Sequence, residues 1–243
     1  LATLQVGSAH GTHLYASAID RLLKKLGVQH EPLNFSETIQ EKELREEVSK
    51  ISKNPKITGM IIFSTLPKHI ALENILRAVD LLKDAEGRRM PLASKSGVMP
   101  PTAMAAIALF EETGCDAAGK EALVIGRSDV VGKPAALMML EKNATVTLAH
   151  SKTLDLKAHV ERADIVIVSV GQPGLVKGDW IKPGAIVIDV GENVVNGKLV
   201  GDVEFETAKE RASYISPVPG GVGLVTNVML VQNLISLHKL QAL

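Results

Sequence analysis

Residues 122–153 read ALVIGRSDVVGKPAALMMLEKNATVTLAHSKT. A short apolar run ends in Gly126, and a turn bounded by Gly126 and Gly132 follows. The next residues are rich in Ala, Leu and Met, which favour helix. A second β-type run, Thr145–Leu148, leads into the polar cluster His150–Thr153. This strand–loop–helix–strand pattern has the size of one mononucleotide-binding βαβ element, about 30 residues.

The rest of the chain repeats this alternation of apolar runs and amphipathic segments. Helices are predicted at residues 14–26, 39–53, 72–79, 102–112, 156–162 and 226–240, and further strands at Leu1–Val6, Thr58–Ser64, Ile165–Val170 and Ala185–Val190. Residues 8–12 are predicted as a loop, and Thr38 and Glu41 as a capping box before the second helix.

The predicted strands are rich in Val and Ile without alternation, as in parallel sheets covered on both faces. We therefore expect an α/β fold of two parallel-sheet α/β domains, the second of them Rossmann-like. The first domain would comprise residues 1–101, completed by the C-terminal helix 224–243. The second would comprise residues 102–223.

Composition excludes several classes of function. Aromatic residues make up only 3%, and 27 basic residues balance 27 acidic ones, so no nucleic-acid surface is expected. Cys115 is the single cysteine, which excludes an intrachain disulfide framework. No apolar run is long enough to span a membrane. The first residues are interpreted as a strand rather than a signal peptide, and a cytoplasmic location is expected.

The turn after the first strand of the 122–153 unit is a candidate anion site. Gly126–Gly132 lacks the second glycine of G-x-G-x-x-G, so a tight turn without a ligand remains an alternative. Arg127 and Ser128 favour phosphate binding at the helix N-terminus. The following strand ends at His150–Lys152 without the carboxylate that usually binds the ribose 2′-hydroxyl of NAD. NADP is therefore favoured over NAD, although isolated basic residues often form plain solvated surface.

A few other residues are candidates for chemistry. Tyr15 lies on the same helix face as Ile19 and could act as a general acid or orient a ligand, or could pack in the core. Glu86 precedes Gly87 at a loop and could equally be a surface charge. The histidines of the loops lack metal-ligand spacing, so no metal site is predicted.

Several motifs together resemble those of the methylenetetrahydrofolate dehydrogenase/cyclohydrolase family. In the second half they are Gly126–Pro134, Ala144–Thr147, His150–Thr153, Val170–Pro173, Val176–Gly184, Ile188–Gly191, Gly197–Val203 and Ser216–Gly223. The first half matches more thinly, at Val6-Gly7, Tyr15, Gly27, Leu66-Pro67, Lys83-Asp84 and Gly87.

The resemblance implies a homodimer of two-domain subunits with a cleft between the domains. It implies that folate binds the first, catalytic domain and that NADP binds the second. Hydride would pass from methylenetetrahydrofolate to the nicotinamide, giving the methenyl form, which bifunctional members then hydrolyse.

Site residues follow from the resemblance position by position. The cofactor would contact Gly126, Arg127, Ser128, Val131, Gly132, His150, Ser151, Gly171 and Glu192. The substrate would contact Tyr15, Ile19, Phe63, Ser64, Thr65, Glu86, Pro219, Gly220, Gly221 and Thr226, with Tyr15 and Glu86 as the catalytic candidates.

Three key positions of the catalytic domain depart from the family pattern, and Glu192 and Leu224-Val225 depart from it in the second half. Ile19 stands at the catalytic lysine of Y-x-x-x-K, Phe63 at the glutamine of Q-L-P-L-P, and Glu86 at the second aspartate of D-V-D-G. An apolar side chain cannot activate water or move a proton, so we expect cyclohydrolase activity to be absent or weak. Hydride transfer depends on orientation and on the nicotinamide, so dehydrogenation could survive.

Two alternatives remain at this point. One is a non-catalytic relative that binds folate or NADP and acts as a regulatory or partner subunit. The other is a dehydrogenase for a different substrate, with Ile19 and Phe63 lining a more apolar pocket. The chain also begins at the first strand of the family, and its 87–101 loop is shorter, which a truncated chain would explain.

Overall fold

The computed structural model describes residues 1–7, 10–89 and 98–242, with the backbone alone for residues 10–15. The chain divides into two compact units. The first unit comprises Leu1–Met99 with Leu230–Leu243, and the second comprises Pro100–Met229. The predicted loop 87–101 lies mostly outside the described residues.

The first unit is built on a three-stranded parallel sheet. Its order is β2–β1–β3, with β1 Ala2–Val6, β2 Glu31–Phe35 and β3 Met60–Ile62. Its helices are α1 His10–Lys25, α2 Glu41–Ser52 and α3 Leu72–Leu76, followed by a 3-10 turn at Leu81–Lys83. The last helix of the chain, α8 Val222–Gln241, contributes its C-terminal half to this unit.

Both faces of this sheet are covered, because neighbouring strand residues point to opposite sides. Met60 and Ile62 belong to one buried apolar cluster, together with Leu4. Ile61 and Phe63 belong to the other, which includes residues of α1 and α8. The expected parallel α/β arrangement is thus confirmed for this unit.

Two local predictions in the first unit were wrong. Helix α1 already begins at His10, so residues 10–12 are helical rather than loop. The capping box does not form: the N-cap of α2 is Gln40, which makes no side-chain cap hydrogen bond. The Glu41 carboxylate instead accepts hydrogen bonds from the Ala71 amide at 2.7 Å and from Asn74 Nδ2 at 2.8 Å. Its tertiary contacts with the start of α3 outcompete the local cap.

The second unit contains a five-stranded parallel sheet of order β10–β7–β6–β4–β5. The strands are β4 Glu121–Ile125, β5 Thr145–Ala149, β6 Ile165–Val168, β7 Ile186–Asp189 and β10 Tyr214–Ile215. An antiparallel hairpin, β8 Asn193–Val195 and β9 Lys198–Val200, follows β7. The helices of this unit are α4 Pro101–Glu111, α5 Gly132–Glu141, α6 Leu156–Arg162 and α7 Phe205–Ala208, with a 3-10 turn at Gly178–Trp180.

The core of the second unit lies on both faces of its sheet. Ile165 and Ile167 pack into one cluster and Val166 and Val168 into the other, and all four are fully buried. This is the unalternated apolar pattern from which a sheet covered on both faces was predicted. Across the described residues, no helix is long and apolar enough to cross a membrane.

Candidate functional site

A cavity of about 530 Å³ lies at the carboxyl ends of β4, β5 and β6. It is lined by Ile125, Gly126, Arg127, His150, Ser151, Thr153, Leu156, Ser169, Val170, Gln172 and Leu175. Ligands of parallel α/β sheets bind at this edge. Four residues predicted as cofactor contacts therefore meet in one cavity: Gly126, Arg127, His150 and Ser151.

The turn after β4 needs glycine at two positions. Gly126 has φ +119°, and a β-carbon there would collide with the Ser169 carbonyl oxygen of the neighbouring strand end. A β-carbon on Gly132 would collide with the carbonyl of Gly126, so the turn closes back on its own first residue. This close packing brings the turn and the end of β6 together at the cavity.

Ser128 builds this turn rather than lining the cavity. Its Oγ accepts hydrogen bonds from the amides of Val131 at 3.1 Å and Gly132 at 3.4 Å. Those two amides at the start of α5 are therefore already paired within the protein. The Ser128 hydroxyl proton is left to donate, because a hydroxyl donates once and accepts twice.

The cluster after β5 forms a turn that is closed by its own hydrogen bonds. The His150 amide donates to Thr153 Oγ1 at 2.8 Å, and the Thr153 amide donates to the His150 carbonyl at 2.8 Å. The Lys152 amide lies 3.1 Å from His150 Nδ1, which accepts this hydrogen bond. In the neutral ring the proton is then on Nε2, which makes His150 a hydrogen-bond donor to a ligand.

The cavity has the donors that a phosphorylated nucleotide requires. Arg127 and Ser151 are exposed at its rim. The buried hydroxyl of Ser169 has no hydrogen-bond partner among the described residues, so it has capacity for a ligand. Guanidinium, hydroxyl and imidazole groups, with no Asp or Glu among the described lining residues, fit a nucleotide with an additional phosphate.

Asp202 organises the loop at the end of β6. Its carboxylate accepts hydrogen bonds from the successive amides of Val170, Gly171 and Gln172 at 2.7, 3.0 and 2.7 Å. It also accepts from Asn193 Nδ2 at 2.9 Å. Gly171, a predicted cofactor contact, is thus positioned by a fully buried aspartate.

A second buried aspartate, Asp189, accepts hydrogen bonds from the backbone at and next to the first. Asp189, at the end of β7, accepts hydrogen bonds from the amides of Gly191, Asp202 and Val203 at 2.9, 3.0 and 2.9 Å. Burial raises the pKa of Asp189 to about 6, and these three amides oppose the rise. Sequence reasoning missed both aspartates as site residues, although the motifs Ile188–Gly191 and Gly197–Val203 contain them.

The loop before α8 carries the remaining predicted contacts of the second unit. The Val218–Pro219 peptide bond is cis, Pro219 and Gly220 are exposed, and Gly221 is buried. Thr226 is buried and donates its hydroxyl to the Val222 carbonyl at 3.1 Å, within the helix. The Glu192 carboxylate lies beside Gly223 and is not among the residues that line the cavity.

In the first unit, Ile19 and Phe63 lie inside the protein. They are 1% and 6% exposed and belong to the same buried apolar cluster. Ser64 and Thr65 follow directly and are exposed. Tyr15 lies within α1, and its side chain falls outside the described residues.

Glu86 forms an ion pair at the end of β3. Arg88 Nη2 donates to Glu86 Oε1 at 3.2 Å, and the two side chains are 13–14% exposed. Burial is the main cause that raises the pKa of Glu86, Arg88 opposes the rise and the charge of Asp84 adds to it, and the resulting pKa is about 7. Glu86 is therefore a buried, paired carboxyl whose pKa lies near neutral pH, rather than a surface charge. Across the described residues, no cluster of His, Cys, Asp or Glu could hold a metal ion.

These features define a two-unit α/β protein whose second unit is a Rossmann-like nucleotide-binding domain. A family model described as tetrahydrofolate dehydrogenase/cyclohydrolase, NAD(P)-binding domain, matches residues 100–242. The catalytic-domain model of the same family matches residues 1–86. The chain belongs to the tetrahydrofolate dehydrogenase/cyclohydrolase family of enzymes.

Individual relatives agree with this assignment. The bifunctional protein FolD of Geotalea daltonii is 45% identical, over 98% of this chain and 88% of that protein. A crystal structure of the bifunctional FolD enzyme from Campylobacter jejuni superposes with a TM-score of 0.94 at 34% identity, over 98% of this chain and 87% of that one. The Trypanosoma brucei FolD structure, complexed with NADP and an inhibitor, gives 0.91 at 34% identity, over 98% and 86%.

Proposed function

We propose that this protein oxidises 5,10-methylenetetrahydrofolate to 5,10-methenyltetrahydrofolate with NADP, and that it has lost most or all cyclohydrolase activity. The observation that carries the first part is the cavity that gathers Arg127, His150 and Ser151 at the strand ends of an NAD(P)-binding domain. By the same family reasoning, the protein acts as a homodimer.

The preference for NADP follows from the charges at the cavity. A dinucleotide with a free ribose 2′-hydroxyl is usually recognised by a carboxylate at the end of the second strand. Here β5 leads into His150 and Ser151, and Arg127 faces them from the end of β4. A 2′-phosphate accepts hydrogen bonds from all three side chains, while NAD offers no anion at that point.

The protein's own part in dehydrogenation is to bind and orient. When bound, the nicotinamide supplies the hydride acceptor. Asp202 and Asp189 fix the loops at the ends of β6 and β7, and therefore the shape of the cofactor site. We assign folate binding to Tyr15, Ser64, Thr65 and Glu86 in the first unit, and to Pro219–Gly221 and Thr226 in the second.

The absence of cyclohydrolase activity rests on the burial of Ile19 and Phe63. Hydrolysis of the methenyl group requires a residue that moves a proton or stabilises a developing oxyanion. Isoleucine and phenylalanine do neither, and both side chains are packed into the core of the first unit.

Two assays on the purified protein test this proposal. The first mixes methylenetetrahydrofolate with NADP or with NAD and follows the reduced cofactor. The second adds methenyltetrahydrofolate alone and follows its hydrolysis against the rate in buffer. We expect turnover with NADP, much less with NAD, and hydrolysis no faster than in buffer.

Each part of the proposal can fail separately. Saturable NADP binding without turnover would contradict the dehydrogenase and favour a non-catalytic folate- or NADP-binding subunit. Turnover with NAD alone would contradict the role of the basic cavity. Rapid hydrolysis of the methenyl substrate would contradict the loss of the cyclohydrolase and leave the dehydrogenase intact.

A further inference from the structure

Arg88 joins three parts of the first unit through one guanidinium group. Its Nη2 donates to Glu86, and its Nη1 donates to Ser64 Oγ at 3.0 Å and lies 3.4 Å from the carbonyl oxygen of Ile62. Ile62 ends β3, and Ser64 lies two residues further on. Arg88 therefore ties the Glu86 carboxylate to the carboxyl end of a sheet strand, where ligands of such sheets bind.

One oxygen of Glu86 is buried within the ion pair without a hydrogen bond. Arg88 Nε lies 3.2 Å from Glu86 Oε2, but neither atom has a well-aligned hydrogen bond among the described residues. A buried carboxylate oxygen without a hydrogen bond is costly and is uncommon in folded proteins. Glu86 therefore retains acceptor capacity for a ligand that donates hydrogen bonds.

The charge state of Glu86 depends on its neighbours. Asp84 is buried beside it and accepts hydrogen bonds from the amides of Glu86 at 3.3 Å and Arg89 at 2.6 Å. Burial and the Asp84 charge both favour a neutral Glu86, and the Arg88 guanidinium is the group that favours the ionised form. Loss of the Arg88 charge would therefore raise the pKa of Glu86 further.

The geometry points to Arg88 as a positioning residue that holds the Glu86 carboxylate at the end of β3, so that the pair recognises the pterin ring of a folate. A pterin presents a ring N–H and an amino group side by side, and an ionised carboxylate accepts from both. Since a carboxylate oxygen accepts more than one hydrogen bond, Glu86 can hold Arg88 and a ligand together. This inference rests on the proposed folate substrate.

Equilibrium binding of tetrahydrofolate, measured by calorimetry from about pH 6 to about pH 8.5, tests this role without requiring turnover. The variants are Arg88→Met, Arg88→Lys and Glu86→Gln, with Arg77→Met as the control for loss of an exposed cation in the same unit. Binding of NADPH, followed by its fluorescence, reports the integrity of the second unit in every variant.

The wild-type protein should bind tetrahydrofolate more tightly as the pH rises through about 7, where Glu86 ionises. Arg88→Met should weaken binding roughly 10-fold or more at neutral pH and shift the midpoint to higher pH. Arg88→Lys should recover part of the affinity. Glu86→Gln should abolish the pH dependence of binding. In the double variant, Arg88→Met should weaken tetrahydrofolate binding little beyond the effect of Glu86→Gln. NADPH binding and Arg77→Met should remain within about 2-fold of wild type.

Unchanged affinity and an unchanged midpoint in Arg88→Met would overturn the inference, and so would full additivity with Glu86→Gln. Failure of the wild-type protein to bind tetrahydrofolate while it still binds NADPH would instead overturn the proposed folate substrate. Without a folate substrate, the proposed role of Arg88 and Glu86 in pterin recognition would be wrong as well.

Discussion

The carboxylate of Asp202 occupies the space that a β-carbon on Gly191 would need. Gly191 is buried at the end of β7, and Asp202 is buried after the hairpin that follows. This approach lets one carboxylate reach the amides of Val170, Gly171 and Gln172 at the end of the neighbouring strand. The shape of the sheet edge that borders the cavity therefore depends on Gly191 and Asp202, neither of which is among its lining residues.

Asp202→Asn should destabilise the second unit and weaken cofactor binding. The substitution keeps the size of the side chain but turns one acceptor into a donor facing backbone N–H groups. Buried donors left without acceptors cost about 1–3 kcal/mol each, so a loss of roughly 2–4 kcal/mol is expected. Urea unfolding measures it, with the exposed Asp179→Asn as the control. Equal unfolding midpoints for Asp202→Asn and wild type would show that the carboxylate does not organise the loop.

Arg127→Gln should impair NADP binding far more than NAD binding. A hydrogen bond to a charged group contributes about 1.5–3 kcal/mol, which corresponds to roughly 10- to 150-fold in dissociation constant. Lys152→Gln is the matched control, because Lys152 is an exposed cation of the adjacent turn that does not line the cavity. Titration with each cofactor measures both constants. Parallel losses for NADP and NAD would place Arg127 away from the 2′-phosphate.

The residues that shape the cavity in the second unit could be predicted from the sequence only in part, and the reason is physical. The elements from β4 to the end of β5 are contiguous, and their turn residues and apolar runs are local signals. The sequence therefore predicted one site for Arg127, His150 and Ser151, and all three line the cavity. Asp202 acts about 30 residues away in sequence, on amides of residues 170–172, and no spacing rule predicts such a contact.

The same limit applies in the first unit. Strand β2 was missed because it is an edge strand with Pro32 and mostly exposed residues, and so lacks the apolar run of a central strand. Glu86 was predicted as a candidate through the family resemblance, while Arg88, two residues further on, was not. Its role depends on reaching Ser64 and Ile62, which only the fold brings near.

Ile19→Lys should not restore a cyclohydrolase by itself. Ile19 is packed in an apolar cluster with Phe63 and residues of α8, so a lysine there would bury a charge without a partner. Thermal or urea unfolding should show a loss of about 3–5 kcal/mol. Ile19→Met, which conserves volume and polarity, should cost less than about 1.5 kcal/mol.

Methenyltetrahydrofolate hydrolysis in the same variants provides the functional test. We expect none in Ile19→Lys, and measurable activity only when Phe63→Gln and Glu86→Asp accompany it, because the lysine then gains polar neighbours. Rapid hydrolysis by Ile19→Lys alone would mean that the site tolerates the charge and that the remaining substitutions do not matter.

Glu86 should make the first unit less stable as the pH rises towards neutrality. Its pKa is about 7 in the folded protein against 4.5 for the ordinary group, so the folded state binds more protons than the unfolded state between these values. The stabilisation is fully present below about pH 4.5 and is lost as the pH rises through about 7, on the order of 3 kcal/mol in total. Glu86→Gln cannot titrate and should lack this component.

The difference between wild type and Glu86→Gln isolates this carboxyl from Asp189, whose raised pKa acts in the same direction at lower pH. The free energies of unfolding of both proteins are measured from about pH 5 to about pH 8. Wild type should lose stability relative to Glu86→Gln over this range, as Glu86 ionises. Glu73→Gln, at an exposed carboxylate of the same unit, should run parallel to wild type. Parallel curves for Glu86→Gln and wild type would mean that Glu86 ionises as readily in the folded chain as in the unfolded one, because the Arg88 charge offsets its burial completely.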